Sequence, residues 1–264
     1  RLMRRLRPDV IFSRGGFVSV PVCLGGALNH IPYITHDSDS LPSLANRLIA
    51  RWARYHAVAL PKEIYPYAQA KTVTTGIPIS EHFVAVTPER QAAYRKEIDI
   101  PVKAKMLFVI GGGLGSQLVN QAVAQAVPHL IAEYPDLYVV HGVGRANLAS
   151  AEQLYADLTE AQRQRVEVRD FISDVYRYSG AADLVVTRAG ATNLAEFAIQ
   201  GKACIVIPSS FLTGGHQLKN AEYLAEQGAA VVLSEEELAA DANRLARQAS
   251  DLLGEPKHRA ELGR

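Results

Sequence analysis

Two stretches of this chain combine glycine with residues able to hold an anion. The first, Gly111-Gly112-Gly113-Leu114-Gly115-Ser116, follows the apolar run Met106–Ile110 and precedes a helical stretch, Leu118–Tyr134. Glycines let a backbone approach a ligand closely, and a helix start presents unpaired N–H groups with a partial positive charge. Such a corner suits a phosphate or diphosphate. No Gly-Lys-Ser/Thr follows, which excludes a P-loop, and no acidic residue sits where a dinucleotide fingerprint needs one. A tight turn packing helix on sheet accounts for the same residues equally well. In the second stretch, Asp183 to Glu196, a buried strand ends at Thr187, Gly190 turns the chain, and Ala191, Thr192 and Asn193 open a helix at the carboxyl edge of the sheet. Glu196 reads as part of that first turn, where it either caps the helix or accepts hydrogen bonds from vicinal hydroxyls. Two helix starts of this kind, at 113–118 and 190–194, point to a nucleoside diphosphate. Further on, Gln217 and Asn220 lie three apart on one helix face. Their amides suit a sugar, or form a solvated face. No metal or cofactor is expected.

Positioning these loops takes a sheet. Short β-branched runs fall at Asp9–Phe12, Pro32–Thr35, His56–Leu60, Thr72–Thr74, Met106–Gly111, Leu137–Gly142, Val166–Arg169, Asp183–Thr187, Ala203–Ile207 and Ala229–Leu233. Helical stretches fit between many of them: Leu41–Tyr55, Leu118–Tyr134, Ala151–Gln164, Thr192–Gln200 and Gln217–Gln227. Strands alternating with helices imply βαβ units and mostly parallel, doubly wound sheets. The expected division is a partial first domain at 1–80, a linker at 81–104 marked by Pro88 and Pro101, and a complete domain at 105–264.

At 264 residues with 48% hydrophobic and 21% charged side chains, the chain has ordinary globular composition, which excludes a disordered tail or a collagenous rod. Its longest nearly apolar run, Phe17–Leu28, has 12 residues, reads as a loop, and is too short and broken to span a bilayer. Cys23 and Cys204 read as reduced core residues. Residues 1–60 hold eight Arg or Lys against three Asp or Glu, whereas residues 105–264 hold fourteen against nineteen. Nothing points to nucleic acid. The cluster Arg1, Arg4, Arg5, Arg7 beside the apolar run suits an anionic membrane surface, or is the solvated side of a helix.

Taken together, the motifs resemble the MurG family of bacterial N-acetylglucosaminyltransferases. The resemblance is carried by Arg14-Gly-Gly-Phe-Val-Ser-Val-Pro, His36-Asp-Ser-Asp-Ser-Leu-Pro-Ser-Leu-Ala-Asn-Arg, Thr75-Gly-Ile-Pro, Gly111-Gly-Gly-Leu-Gly-Ser, Arg188-Ala-Gly-Ala-Thr-Asn-Leu-Ala-Glu and Gly215-His-Gln-Leu-Lys-Asn-Ala. Any one motif is modest; their order and spacing make the match. It implies an α/β GT-B fold of two Rossmann-like halves, the first incomplete here. It further implies transfer of N-acetylglucosamine, with inversion, from UDP-N-acetylglucosamine to an undecaprenyl-linked muramoyl-peptide, by a peripheral protein on the cytoplasmic face of the bacterial inner membrane. By the resemblance, Ile172 would meet the uracil through its backbone and Glu196 the ribose hydroxyls. Gly113, Ala191, Thr192 and Asn193 would surround the diphosphate, and His216, Gln217 and Asn220 would reach the sugar. Gly15, Gly16 and Ser19 match the loop that holds the lipid pyrophosphate.

Four departures stand out. The family's His-Glu-Gln-Asn reads His36-Asp37-Ser38-Asp39, putting the carboxylate of Asp39 where an amide meets the donor. Its Gly-Asn-Pro-Val-Arg reads Gly76-Ile77-Pro78-Ile79-Ser80, and a loop serine is Gly113. The family's opening glycine loop, with its histidine, has no counterpart in these residues. The expectation is a chain that binds the donor without transferring the sugar, and no catalytic base is assigned. Two other readings stay open: a different GT-B UDP-sugar enzyme, such as a glycolipid glycosyltransferase or a 2-epimerase, and a non-catalytic UDP-sugar-binding subunit.

Overall fold

A computed structural model describes residues 2–210 and 215–263. The chain divides into two α/β units, Arg1–Pro78 and Ile79–Arg264.

The first unit runs Leu2–Leu6 (α1), Ile11–Ser13 (β1), Ser19–Leu28 (α2), Tyr33–Asp37 (β2), Leu44–Ile49 (α3), Tyr55–Val58 (β3) and Thr72–Thr74 (β4). Its strands pair in parallel in the order β1-β2-β3-β4. The apolar run expected as a loop is helical from Ser19 onward. Its small residues let α2 lie close to its neighbours: a Cβ on Gly26 would come within 2.5 Å of Ile11 Cδ1. Cys23 faces inward with Tyr33, Ile49 and Ala53. The helix expected over Leu41–Tyr55 is shorter. Ser43 caps it by accepting from the Asn46 N–H, and after a 3-10 turn at Ala50–Trp52 the chain extends again at Ala53 to enter β3.

The second unit contains Pro88–Glu97 (α4), Lys105–Ile110 (β5), Gln117–Glu133 (α5), Leu137–Gly142 (β6), Leu148–Leu154 (α6), Glu160–Arg163 (α7), Val166–Arg169 (β7), Val175–Ala181 (α8) and Leu184–Thr187 (β8). It continues with Ala191–Ile199 (α9), Cys204–Val206 (β9), His216–Glu226 (α10), Val231–Val232 (β10), Glu235–Ala240 (α11), Arg244–Gly254 (α12) and Pro256–Leu262 (α13). All six strands are parallel, in the order β10-β9-β8-β5-β6-β7. The chain winds outward from β5 one way through β6 and β7 and the other way through β8, β9 and β10. The carboxyl ends of β5 and β8 are therefore the switch point, where open α/β sheets bind ligands. Alternation along β5 sends Met106, Phe108 and Ile110 into one core and Leu107 and Val109 into the other. Both faces are buried, as a parallel sheet requires.

Residues 81–104 do not form a free linker. Helix α4 packs on α8, where Arg95 pairs with Asp183 at 2.7 Å and its Nε donates to the Ala181 carbonyl. Gln91 donates to the Ala182 carbonyl at 2.9 Å, and the buried Lys202 ammonium donates to Gly180 O at 2.7 Å. These donors satisfy carbonyls that the end of α8 leaves open. The helix expected over Ala151–Gln164 is broken, because Thr159 and Gln162 form a capping box that starts α7 afresh. A second capping box, Ser234 with Glu237, starts α11, and α11 to α13 were not expected from the sequence. Both cysteines are buried and unpaired, and burial pushes the Cys204 thiol up to about 12. Among the described residues no helix is long and apolar enough to cross a membrane.

Candidate functional site

The glycine turn after β5 is fixed from below. Gly115 has φ +74°, and a Cβ there would stand 1.9 Å from the Val143 carbonyl oxygen, so only glycine fits. That carbonyl also accepts from the side chains of Asn120, in the first turn of α5, at 3.1 Å and Asn147 at 2.9 Å. Because the Asn120 amide nitrogen donates to Val143, its oxygen faces His141 Nε2 at 3.1 Å, and that ring nitrogen must be the donor. His141 Nδ1 then accepts from the Tyr155 hydroxyl at 2.8 Å. Burial holds the imidazole neutral, lowering its pKa to about 4.

Ser116 caps α5 by accepting from the Val119 N–H, and Arg188 Nη2 donates to the same hydroxyl at 2.7 Å. Arg188 also pairs with Glu235 at 2.7 Å, with both side chains largely buried. Burial opposes ionisation of Glu235, yet hydrogen bonds from Ser210 and Arg188 outweigh it and hold the carboxyl below its ordinary value. The end of β8, the glycine turn, the Ser210 loop and α11 are thus tied to one guanidinium.

At the carboxyl ends of these strands lies a cavity of about 380 Å³. That is within the range of roughly 300–1,000 Å³ typical of small-molecule sites. Its lining includes Ile110, Gly112, Gly113, Gly142, Ile172, Asn193 and Glu196. A Cβ on Gly113 would meet nothing within 4 Å, so this glycine leaves room rather than relieving a clash. Helix α9 starts at Gly190 with no side-chain cap, which leaves its first N–H groups open. Glu196 is the sixth residue of α9, not part of its first turn, and it does not cap. Among the described residues its carboxylate accepts no side-chain or capping hydrogen bond. Partial burial alone raises its pKa to about 6. A half-desolvated carboxylate with free lone pairs is an acceptor ready for ligand hydroxyls.

The structure thus brings Gly113, Ile172, Asn193 and Glu196 to one cavity, with Ala191 and Thr192 at the adjoining helix start. His216, Gln217 and Asn220 do not line it. Gln217 Oε1 accepts from the Ser209 N–H at 3.0 Å, and buried Asn220 donates to the Ala189 carbonyl at 3.2 Å, fixing the approach to α9. The rest of that motif's loop, residues 211–214, lies outside the described residues, as does Arg1 of the basic cluster. The sequence reading missed His82, Phe83, Asp170, Phe171 and Tyr176, which also line the cavity. The pair Asp170-Phe171, directly after β7 at the carboxyl edge, was the available signal; His82 and Tyr176 had none, since their meeting depends on α4 and α8.

In the first unit, Gly15, Gly16 and Ser19 form one turn after β1. Gly15 N–H donates to Ser13 Oγ at 3.2 Å, and the Ser19 hydroxyl donates to Gly16 O at 2.7 Å. Asp39, after β2, accepts at its backbone carbonyl from the Tyr65 hydroxyl at 2.9 Å. Among the described residues no group of three His, Cys, Asp or Glu is placed to hold a metal ion.

Two Rossmann-like parallel units, one with a cavity at its switch point, define an α/β protein of the GT-B class. The family model described as "Glycosyltransferase family 28 C-terminal domain" matches residues 106–263, and that of the family's N-terminal domain matches residues 1–58. The chain belongs to glycosyltransferase family 28, in its MurG branch. A UDP-N-acetylglucosamine--N-acetylmuramyl-(pentapeptide) pyrophosphoryl-undecaprenol N-acetylglucosamine transferase of Bacillus thuringiensis (strain Al Hakam) is 35% identical over 237 residues, covering 89% of this chain and 64% of that protein. The protein of the same description from Citrifermentans bemidjiense is 32% identical over 262 residues, covering 99% of this chain and 70% of the relative. The chain therefore spans just under two thirds of the length of the Bacillus relative. The crystal structure of Acinetobacter baumannii MurG superposes with a TM-score of 0.77 at 23% identity, covering 100% of this chain and 70% of that one.

Proposed function

We propose that the chain carries the donor site of an inverting N-acetylglucosaminyltransferase. The enzyme would move N-acetylglucosamine from UDP-N-acetylglucosamine to undecaprenyl-pyrophosphoryl muramoyl-pentapeptide, turning lipid I into lipid II. One observation carries this reading: Glu196, an ionisable acceptor without a partner among the described residues, shares its cavity with Gly113 and Asn193 at an uncapped helix start. Ribose hydroxyls would donate to Glu196, the uracil would meet the backbone at Ile172, and the diphosphate would lie against Gly113 and the N–H groups of Ala191, Thr192 and Asn193. His216, Gln217 and Asn220 would serve the sugar end, the last two by setting the loops that reach it.

In an inverting displacement the acceptor hydroxyl oxygen bonds to the anomeric carbon as the bond to the diphosphate oxygen breaks. Negative charge moves onto UDP, where the open N–H groups at the start of α9 would stabilise it. A base must take the hydroxyl proton. Gly15, Gly16 and Ser19 would hold the lipid pyrophosphate in the first unit. That unit also exposes Phe17, Val18 and Leu28, with Arg4 and Arg5 on α1, which supports docking on an anionic leaflet at the cytoplasmic face.

The test is calorimetric titration with UDP-N-acetylglucosamine, followed by turnover with a lipid-linked muramoyl-peptide analogue. Saturable binding that UDP competes away is expected; a folded chain that binds neither would refute the reading. For the membrane surface, reversing Arg4 and Arg5 to Glu should lower co-sedimentation with anionic vesicles, most clearly at low salt. Equal co-sedimentation of variant and parent would remove that part.

A further inference from the structure

Tyr176, in the first turn of α8, is braced by neighbours from three segments. Phe83 meets its ring edge-on with centroids 6.2 Å apart, Tyr94 of α4 does so at 5.9 Å, and Arg177 Nε donates to its hydroxyl at 2.9 Å. The far end of α8 is clamped by Gln91, Arg95 and Lys202, so the ring sits on a fixed element. Against this ring lies His82, with centroids 5.0 Å apart and planes inclined by only 24°.

His82 is exposed and lines the same cavity as Ile172 and Glu196. Its backbone N–H donates to Ser80 Oγ at 3.4 Å, but among the described residues its imidazole makes no hydrogen bond. One ring face is occupied by Tyr176. The opposite face has no ring stacked on it among the described residues, and His82 shares the cavity wall with strand ends, turns and residues of α8 and α9. Of the other aromatic rings in the lining, Phe83 is buried and Phe171 carries the Arg145 guanidinium 4.5 Å from its centroid. A nucleobase is the part of a nucleotide that gains from such a surface, because any base offers a flat π face to an aromatic ring.

We propose that His82, stacked on Tyr176, is the platform on which the pyrimidine base of the bound nucleotide stacks. The proposal rests on the reading of this cavity as a UDP-sugar site and adds to it a base-contacting residue outside the glycine turns. It places the base between the Ile172 backbone and an aromatic pair supplied by residues 82 and 176. His82 then contributes to affinity through its ring face, so a phenyl ring serves in its place.

The full chain is titrated with UDP by calorimetry. His82→Ala should bind about tenfold more weakly, while His82→Phe should stay within about threefold of the parent, both with unchanged melting because the side chain is exposed. His82→Trp should add a fluorescence signal that UDP quenches at the concentrations where heat is released; the natural Trp52 lies in the first unit and supplies the reference. If the parent binds no UDP, the site reading and this proposal fall together. If the parent binds and His82→Ala binds equally well, the proposal alone is overturned. If His82→Phe is as weak as His82→Ala, ring stacking is overturned.

Discussion

Each unit sets a glycine turn after its first strand, and each supports it with a buried asparagine, but the supports differ in kind. Beneath the first turn, Asn46 donates to Asp37 Oδ1 at 2.9 Å and accepts from Ser13 Oγ at 3.1 Å, while Ser13 Oγ accepts from Gly15. Asp37 is 4% exposed and takes further donors from Ser43 N–H and the Tyr67 hydroxyl, at 3.0 and 2.7 Å. All of these donors are neutral, and burial together with the Asp37 carboxyl raises the Tyr67 hydroxyl. Beneath the second turn, the closest approach is to a main-chain carbonyl, that of Val143. A Cβ on Gly15 would meet Ser43 Oγ at 2.5 Å, the end of a rotatable side chain, whereas one on Gly115 would meet Val143 O at 1.9 Å. The Ser43 hydroxyl can swing away, giving up its cap on α3; a carbonyl at a strand end, already holding two amide donors, cannot. The turn after β5 is therefore the more rigid of the two.

That contrast predicts its own largest effect. Gly115→Ala should cost about 3 kcal/mol or more, from a forced positive φ plus backbone overlap, and should abolish measurable UDP binding. Gly15→Ala should cost about 1–2 kcal/mol and leave UDP affinity unchanged. Thermal melts and UDP calorimetry on both variants check this; equal losses of UDP binding would erase the distinction between the turns.

The next effect lies in acid. His141 has its pKa lowered from 6.5 to about 4 by burial, so the unfolded chain binds the proton more readily than the native one. Stability from this group is fully present above about pH 6.5 and is lost as pH falls toward 4, by about 3 kcal/mol in total. Denaturant titrations of His141→Gln should show a flatter slope between pH 6.5 and 5 than the parent. His56, in the first unit, has its pKa lowered too, through burial, with Asp37 opposing the shift. A parent slope unaltered by His141→Gln would move the acid sensitivity to that unit.

The smallest stability effect is at Glu196. Its folded pKa, raised from 4.5 to about 6, means that its contribution to stability declines as pH rises through that window. After allowance for partial exposure, the decline is about 1 kcal/mol. UDP affinity should move the other way, rising through pH 6 as the acceptor ionises. Glu196→Gln should weaken UDP binding about tenfold at pH 7.5 and remove that rise. Parallel pH profiles in variant and parent would return Glu196 to a structural part.

Much of this could be read from the residues in order. The strands Thr72–Thr74, Leu137–Gly142 and Val166–Arg169 fall where β-branched runs place them, and α5 and α9 start within one residue of expectation. These are local signals: β-branched alternation, a serine cap and a glycine before a helix. The helical state of Ser19–Leu28 was not legible, because two glycines and a proline argue against a helix until Ile11 is seen packed on Gly26. The capping box of Ser234 with Glu237 is a local signal of the same kind.

From its sequence alone the protein drew its family, its two parallel sheets and the glycine turns that open its anion-binding helix starts. Those depend on residues near one another in the chain, where turn geometry and side-chain period act directly. Tertiary structure alone decided that Glu196 lacks a partner among the described residues and Gln217 has one, that residues 81–104 belong to the second unit, and that His82 meets Tyr176. Each of these depends on burial and on neighbours 8 to about 100 positions away, and desolvation and stacking have no pattern along a sequence until the chain has folded.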